Sequence, residues 1–159
     1  MANYAFDEDA VITLSETADI GGTSATTSYV SMENFDRAVL YAEIGTWDSS
    51  DDLDTLKIQQ ATDSSGTSVK DLTTSASGGN YDTDSPLDAD GDFAYISIKA
   101  ENLDTDNGFT HIRGIASEGG NSGTDNVTLV LIRHGAKYKQ KELAGAATAG
   151  SKVYYRPGS

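Results

Sequence analysis

Residues 37–46, Arg-Ala-Val-Leu-Tyr-Ala-Glu-Ile-Gly-Thr, are the longest early run in which side chains alternate in character as they do along a β-strand. One face of this segment is aliphatic and carries Leu40, Ala42 and Ile44. The other face is mixed and carries Val39, Tyr41, Glu43 and, just beyond the segment, Trp47. A period of two residues predicts a strand with one well-buried face, and such a strand needs neighbouring strands.

Further segments of the same kind occur along the chain, separated by stretches rich in Gly, Ser, Thr and Asp. They cover residues 10–14, 29–32, 55–61, 68–72, 93–100, 109–116 and 127–133. No segment has apolar residues at the spacing of a long amphipathic helix. About eight short antiparallel strands predict an all-β protein, a β-sandwich of jelly-roll type with extended N- and C-terminal arms.

Three features of the pattern suggest how the strands are placed. The Asp- and Ser-rich residues 47–54 predict that segments 37–46 and 55–61 form either a hairpin or a corner between sheets. An Asp-Asn-Gly turn at residues 106–108 predicts that segments 93–100 and 109–116 pair with each other. Residues 127–133, Val-Thr-Leu-Val-Leu-Ile-Arg, are apolar on both faces, which predicts a central strand covered by its neighbours.

The length of 159 residues fits one domain, which we expect to span residues 10–141 between an N-terminal arm, 1–9, and a C-terminal arm, 142–159. The absence of cysteine excludes disulfides and thiolate metal sites. Residues 1–9 lack the basic and apolar regions of a signal peptide, and no run has the length of a membrane helix. We therefore expect synthesis in the cytoplasm without a cleaved export signal and no association with membranes.

The formal net charge is −14, and it is unevenly distributed. Residues 137–159 carry five basic groups and one acidic group, whereas the remaining residues carry 6 basic and 24 acidic groups. Nucleic acids are bound largely through lysine and arginine, so the acidic body should be repelled by a phosphate backbone. We expect no nucleic-acid partner. The basic tail is either a solvated end or a segment that docks on an acidic partner.

The segment Leu87-Asp-Ala-Asp-Gly-Asp-Phe93 is the best candidate for a metal site, because alternating carboxylates in a turn can bind Ca²⁺. Its ligands would be Asp88, Asp90 and Asp92. The segment departs from the EF-hand loop, since glycine stands at the fourth position and the twelfth is Lys99 instead of glutamate. Solvated acidic turns are the simpler interpretation, and we expect neither a metal nor another cofactor.

Catalytic patterns are weak in this chain. His111 and His134 fall on different predicted strands and lack the spacing of a zinc pair, so both are expected to be ordinary sheet residues. No serine lies in a nucleophile elbow, and the glycine pairs lack the lysine of a phosphate-binding loop. The sequence predicts a protein that is not an enzyme.

As a whole, the chain resembles small structural proteins of tailed-bacteriophage virions, especially capsid decoration or cement proteins. The similarity is one of layout. It is carried by the arm ending Tyr4-Ala-Phe6, the Thr/Ser-rich lead into Tyr29-Val-Ser-Met32, then Val39-Leu-Tyr-Ala-Glu-Ile-Gly45, Leu56-Lys-Ile-Gln-Gln-Ala-Thr-Asp63 and Val69-Lys-Asp-Leu72. The resemblance implies a β-rich protein without catalytic residues that binds the exterior of an assembled capsid, often as a trimer. The implied partner is the major capsid protein.

The terminal arms are the expected contact segments, because mobile arms suit the clamping of adjacent subunits and aromatic and arginine side chains dominate interface energetics. The candidate contact residues are Tyr4, Phe6, Lys152, Tyr154, Tyr155 and Arg156. The alternative is a binding module of a phage tail or bacterial surface that recognises a carbohydrate or depends on Ca²⁺. Its site would combine Trp47 with the loop of residues 73–92.

Overall fold

The computed structural model describes residues 10–15, 18–48, 53, 55–72, 87–118 and 124–137. Within them the chain forms strands and two short 3-10 helices. The strands are β1 (Ala10–Leu14), β2 (Ala18–Asp19), β3 (Ser24–Thr26), β4 (Val30–Ser31), β5 (Phe35–Ile44), β6 (Thr55–Ala61), β7 (Lys70–Asp71), β8 (Phe93–Lys99), β9 (His111–Ser117) and β10 (Asn126–Ala136). The 3-10 helices are Ala100–Asn102 and Thr105–Asn107. None of the described helices is long and apolar enough to cross a membrane.

The strands form two antiparallel sheets. In the first sheet the order is β1, β10, β5, β8, and β2 continues the line of β1 along β10. In the second the order is β3, β9, β6, β7, and β4 continues the line of β3 along β9. Each sheet therefore has four strand positions, and the first strand of the chain lies beside the last. This is the eight-position jelly-roll sandwich, and it confirms the predicted fold class.

The predicted central strands occupy the middle of the first sheet. β5 and β10 pair with each other in the register Leu40↔Leu131, Ala42↔Leu129 and Ile44↔Val127, and all these side chains are buried. The strand of residues 37–46 begins two residues earlier than predicted, because Phe35 already pairs with Ala136. Segment 127–133 is central, as predicted, but only one of its faces enters the core.

The two sheets meet most closely where Leu40 lies over Gly114. Leu40 is fully buried on β5, and Gly114 is on β9 in the middle of the second sheet. A Cβ atom added to Gly114 would overlap Cδ1 of Leu40. Glycine at this position therefore makes room for the leucine side chain, which packs against the facing backbone.

Of the two arrangements left open for segments 37–46 and 55–61, the structure shows the corner between sheets, because β5 and β6 belong to different sheets. One predicted pairing needs correction. β8 was predicted to pair with β9, but it pairs with β5, and β9 pairs with β6. Leu103 and Phe109, in the connection between β8 and β9, are buried. The second 3-10 helix of this connection is capped at its C-terminus by Gly108, whose φ is +81°. The connection therefore crosses one end of the sandwich, where a tight hairpin turn was expected.

Strand β1 begins at Ala10, which is the first described residue. The predicted arms, residues 1–9 and 142–159, and the C-terminal boundary at residue 141 lie outside the described residues.

The contact between Leu40 and Gly114 gives a test of sheet packing. Leu40→Ala should lower the free energy of unfolding by about 2–5 kcal/mol, because it opens a cavity between the sheets. Gly114→Ala should cost about 1–3 kcal/mol through overpacking. The double variant should lose less than the sum, since the new methyl fills part of the space that leucine vacates. Urea unfolding of all four proteins measures the coupling, and strict additivity would contradict the packing described here.

Candidate functional site

The acidic turn proposed for Ca²⁺ directs two of its three carboxylates to backbone groups. Oδ1 of Asp90 accepts a hydrogen bond from the backbone N–H of Trp47 at 2.7 Å. Oδ2 of Asp92 accepts from the backbone N–H groups of Asp88 and Ala89 at 3.3 and 3.2 Å. Within the described residues no group of three or more His, Asp or Glu side chains is arranged to hold a metal. The turn thus connects β5 with the start of β8.

The other candidate residues are dispersed. His111 is on β9, where its Nδ1 lies 2.9 Å from Oγ1 of Thr110, and His134 is on β10 in the other sheet. Trp47 is half-buried against the hydrophobic core. The loop that would complete a binding module is described only for residues 87–92. The proposed contact residues of the arms lie outside the described residues: Tyr4, Phe6, Lys152, Tyr154, Tyr155 and Arg156.

The outer face of the second sheet is covered by a polar network. Lys57 forms a 3.0 Å ion pair with Asp71, and Gln59 donates to the same carboxylate at 3.0 Å. The guanidinium of Arg113 donates to Oε1 of Gln59 at 2.8 and 3.0 Å and stacks over Tyr29. The polar groups of this face thus bond to one another and to solvent, as expected for a sheet face exposed to water.

The outer face of the first sheet has the opposite character. Its outward-facing side chains in the middle of β1, β10, β5 and β8 are mainly apolar, and we call this surface the apolar face. Its apolar members are Ile12, Leu14, Val130, Ile132, Val39, Tyr41, Phe93 and Tyr95. Ile12, Leu14, Phe93 and Tyr95 are 48%, 64%, 60% and 67% exposed, and they are four of the five large exposed apolar residues among those described.

The strand register makes the apolar face continuous. One row across the sheet joins Leu14 to Val130, Tyr41 and Tyr95, and the next joins Ile12 to Ile132 and Val39 and ends at the exposed Ser97 on β8. The rings of Tyr41 and Phe93 stack with their centroids 5.8 Å apart and an interplanar angle of 29°. Contiguous exposed apolar surface on a folded protein marks a place where another molecule binds.

Charged groups lie at the two ends of the apolar face. At one end Arg37 pairs with both His134 and Lys99 in the sheet register, and these residues line a shallow cavity of about 320 Å³. Lys99 also forms a 2.9 Å ion pair with Glu101 beside the sheet. At the other end stands Glu43, opposite Phe93 and Thr128. The face is therefore apolar in the middle, basic at one end and acidic at the other.

Outward-facing and inward-facing side chains alternate along β10, and Arg133 is the basic residue of this strand that lies on the inner side. Its guanidinium stacks on Phe35 at 4.7 Å, and Nη1 donates to the carbonyl of Ser31 at 2.7 Å. Burial lowers the pKa of Arg133 from its ordinary value. These contacts join the end of β10 to the second sheet, so we assign Arg133 a structural role.

The apolar face was not predicted as a site, although the sequence contained a signal for it. Residues 127–133 are apolar on both faces, and both faces were expected to be covered by neighbours. In the structure Leu129 and Leu131 enter the core, whereas Val130 and Ile132 remain partly exposed. The second apolar face of this strand is therefore part of a surface.

The fold and this surface define a jelly-roll β-sandwich with one polar and one apolar outer face. Comparison of the chain with protein-family models, with curated proteins and with solved structures finds no match. Function must therefore be inferred from the surfaces of this chain.

The apolar face should contribute little to folding. Leu14→Ser and Tyr95→Ser should each change the free energy of unfolding by less than about 0.5 kcal/mol, because both side chains are mostly exposed. The buried Leu129→Ser, on the inner side of the same sheet, is the matched control and should destabilise strongly. Thermal and urea unfolding measure the difference. A large loss for Leu14→Ser or Tyr95→Ser would make these residues part of the core.

The polar network predicts a dependence of stability on pH. Burial disfavours the charged form of Asp71, but hydrogen bonds from Gln59 and Lys57 outweigh it and hold the pKa of this carboxyl below its ordinary value. The resulting stabilisation is present above the ordinary pKa and is lost as pH falls through the lowered one. Asp71→Asn should cost about 0.2–1 kcal/mol at neutral pH. The difference from the original protein should shrink below about pH 4.

Urea unfolding at a series of pH values measures that difference. Asp106→Asn, at an exposed position in the second 3-10 helix, is the control. A difference for Asp71→Asn that stays constant down to about pH 2 would contradict the assigned role of the carboxylate.

Proposed function

We propose that this chain is a non-enzymatic structural protein that binds the outer surface of a phage capsid and stabilises the shell. The observation that carries the proposal is the apolar face on an otherwise acidic jelly roll. A surface of this kind suits a protein that works by assembling with other proteins. The partner is the major capsid protein, as the resemblance to decoration proteins implies, and the place of action is the capsid exterior.

The distribution of charge supports this placement. Residues 1–136 contain 24 acidic and 6 basic groups, so the body of the protein is repelled by nucleic acid. A position outside the shell keeps this body away from packaged DNA. The basic residues 137–159 have the sign needed to bind acidic groups on a neighbouring protein.

The geometry of the first sheet supports a common role for the two arms. Ala10, where β1 begins, pairs with His134, and β10 ends two residues later at Ala136. The start of β1 and the end of β10 therefore lie at the same end of the same sheet. In the proposed arrangement the segments attached there engage one neighbouring surface, and several weak contacts repeated through an oligomer give avidity. The oligomer that the resemblance suggests is a homotrimer.

Analysis of particles from the source culture tests the proposal. Mass spectrometry should find this chain in hundreds of copies per particle, and electron microscopy should show regularly spaced density on the shell. A copy number of a few, with density at a tail tip, would instead favour the carbohydrate- or Ca²⁺-dependent binding module. Absence from particles would refute both assignments to a virion.

Removal of residues 142–159 tests the role of the C-terminal arm. The truncated chain should keep its unfolding temperature, because the described strands end at Ala136, and it should no longer bind particles that lack this protein. Val69→Asp, a change at an exposed apolar residue next to the second sheet, is the matched control and should bind normally. Normal binding of the truncated chain would contradict the assignment of contacts to this arm.

A further inference from the structure

The outward-facing residues of β5 read, along the strand, as a cation, two apolar residues and an anion. They are Arg37, Val39, Tyr41 and Glu43. Neither charged residue belongs to an ion pair among the described residues, where the ion pairs are Lys57–Asp71, Lys70–Asp104 and Lys99–Glu101. If a second copy is rotated by 180° so that its β5 runs in the opposite direction, its anion faces the cation of the first copy. The apolar residues of the two copies then also face each other.

We propose that the apolar face binds the apolar face of a second copy of this chain. The two first sheets pack face to face about a twofold axis that runs across the strands between the row of Val39 and the row of Tyr41. A contact of this type is isologous, with the same surface contributed by both partners. The inference rests on the proposed function only in treating the apolar face as an assembly surface. It assigns this face to a second copy in place of the capsid, and it replaces the homotrimer that the resemblance suggests with a twofold dimer, so the contacts with the capsid then belong to the terminal arms.

The strand register fixes which groups would face each other. The rotation brings Arg37 opposite Glu43 of the second copy, and Val39 opposite Tyr41 of the second copy. In the neighbouring strands it brings Lys99 opposite the ring of Phe93, and Ile12 opposite Leu14. Arg37 thus meets a carboxylate, Lys99 meets an aromatic ring, and the apolar rows meet each other.

The low number of charged groups in the middle of the apolar face favours burial against a second copy over exposure to water. Between the row of Arg37 and the row of Glu43, Glu43 is the only carboxylate that points outward from the described strands of the first sheet. The rest of the body is strongly acidic. Depletion of charge in the middle of a surface, with aromatic side chains enriched there, is the composition of an interface core.

The dimensions are sufficient for a specific pair. Four strands spaced about 4.8 Å apart span roughly 15 Å, and the ten residues of β5 extend roughly 34 Å. The outer face therefore offers on the order of 500 Å² per copy, or about 1,000 Å² for the pair. This lies at the lower end of specific protein interfaces, so we expect a dimer that dissociates on dilution.

Charge exchange across the twofold axis tests the pairing. Sedimentation velocity and native mass spectrometry of the full chain over a range of concentrations give the dimer dissociation constant. Arg37→Glu and Glu43→Arg should each raise this constant at least about tenfold, because each places like charges opposite one another. The double variant should return to within about threefold of the original protein, since the opposite charges are then restored in exchanged positions.

The control separates local pairing from overall charge. Asp106→Arg changes the net charge by the same amount as Glu43→Arg but lies in the second 3-10 helix, away from the apolar face. If net repulsion governed association, both substitutions would strengthen the dimer. We expect only Glu43→Arg to weaken it, with all variants keeping their unfolding temperatures, because positions 37 and 43 are exposed.

The results also separate this inference from the proposed function. A monomer at about 100 μM, a trimer, or a dimer that neither single variant weakens would overturn the twofold pairing, because an isologous contact closes as a dimer. Any of these could occur in a protein that still decorates particles. A dimer with the expected charge rescue would support the pairing even if the chain were absent from particles, which would refute only the proposed function.

Discussion

The close approach of Leu40 to Gly114 is the contact on which the arrangement of the sandwich depends. It joins the middle strands of both sheets, since β5 pairs with β10 on one side of the core and β9 pairs with β6 on the other. A leucine packed against a glycine backbone fixes both the separation and the lateral position of the sheets. Because strand side chains alternate, fixing the inward set also fixes which side chains point outward.

The two outer faces differ in the kind of residue that points outward. On the second sheet, Lys57, Gln59, Asp71 and Arg113 bond to one another, so their polar groups are satisfied without a partner. On the first sheet, the corresponding positions expose aliphatic and aromatic carbon, and the transfer of such surface out of water is favourable. Both sheets have a similar inner face, so the difference between the outer faces does not arise from the requirements of the core.

Much of the fold was predictable because a period of two residues is a local property. Leu40, Ala42 and Ile44 were predicted to share a buried face, and they do. Strand neighbours were harder to predict, because alternation specifies a face but not a partner. β8 pairs with β5 since Ile96 and Ile98 can then join the core beside Leu40, and the connection through Leu103 and Phe109 closes the end of the sandwich. The apolar face depends on these pairings, so it could not be predicted before them.

The segment Val127–Arg133 belongs both to the core and to the apolar face. A strand that is apolar on both faces is suited to burial on both sides. Within one chain only the inward-facing side chains of this segment, Val127, Leu129 and Leu131, are buried, because the second sheet covers a single face of β10. The remaining side chains, Val130 and Ile132, lie in the middle of a sheet face whose neighbours are also apolar. Since the fold itself does not determine function, this unmet requirement for burial is the strongest indication that the sandwich completes its packing by contact with another protein.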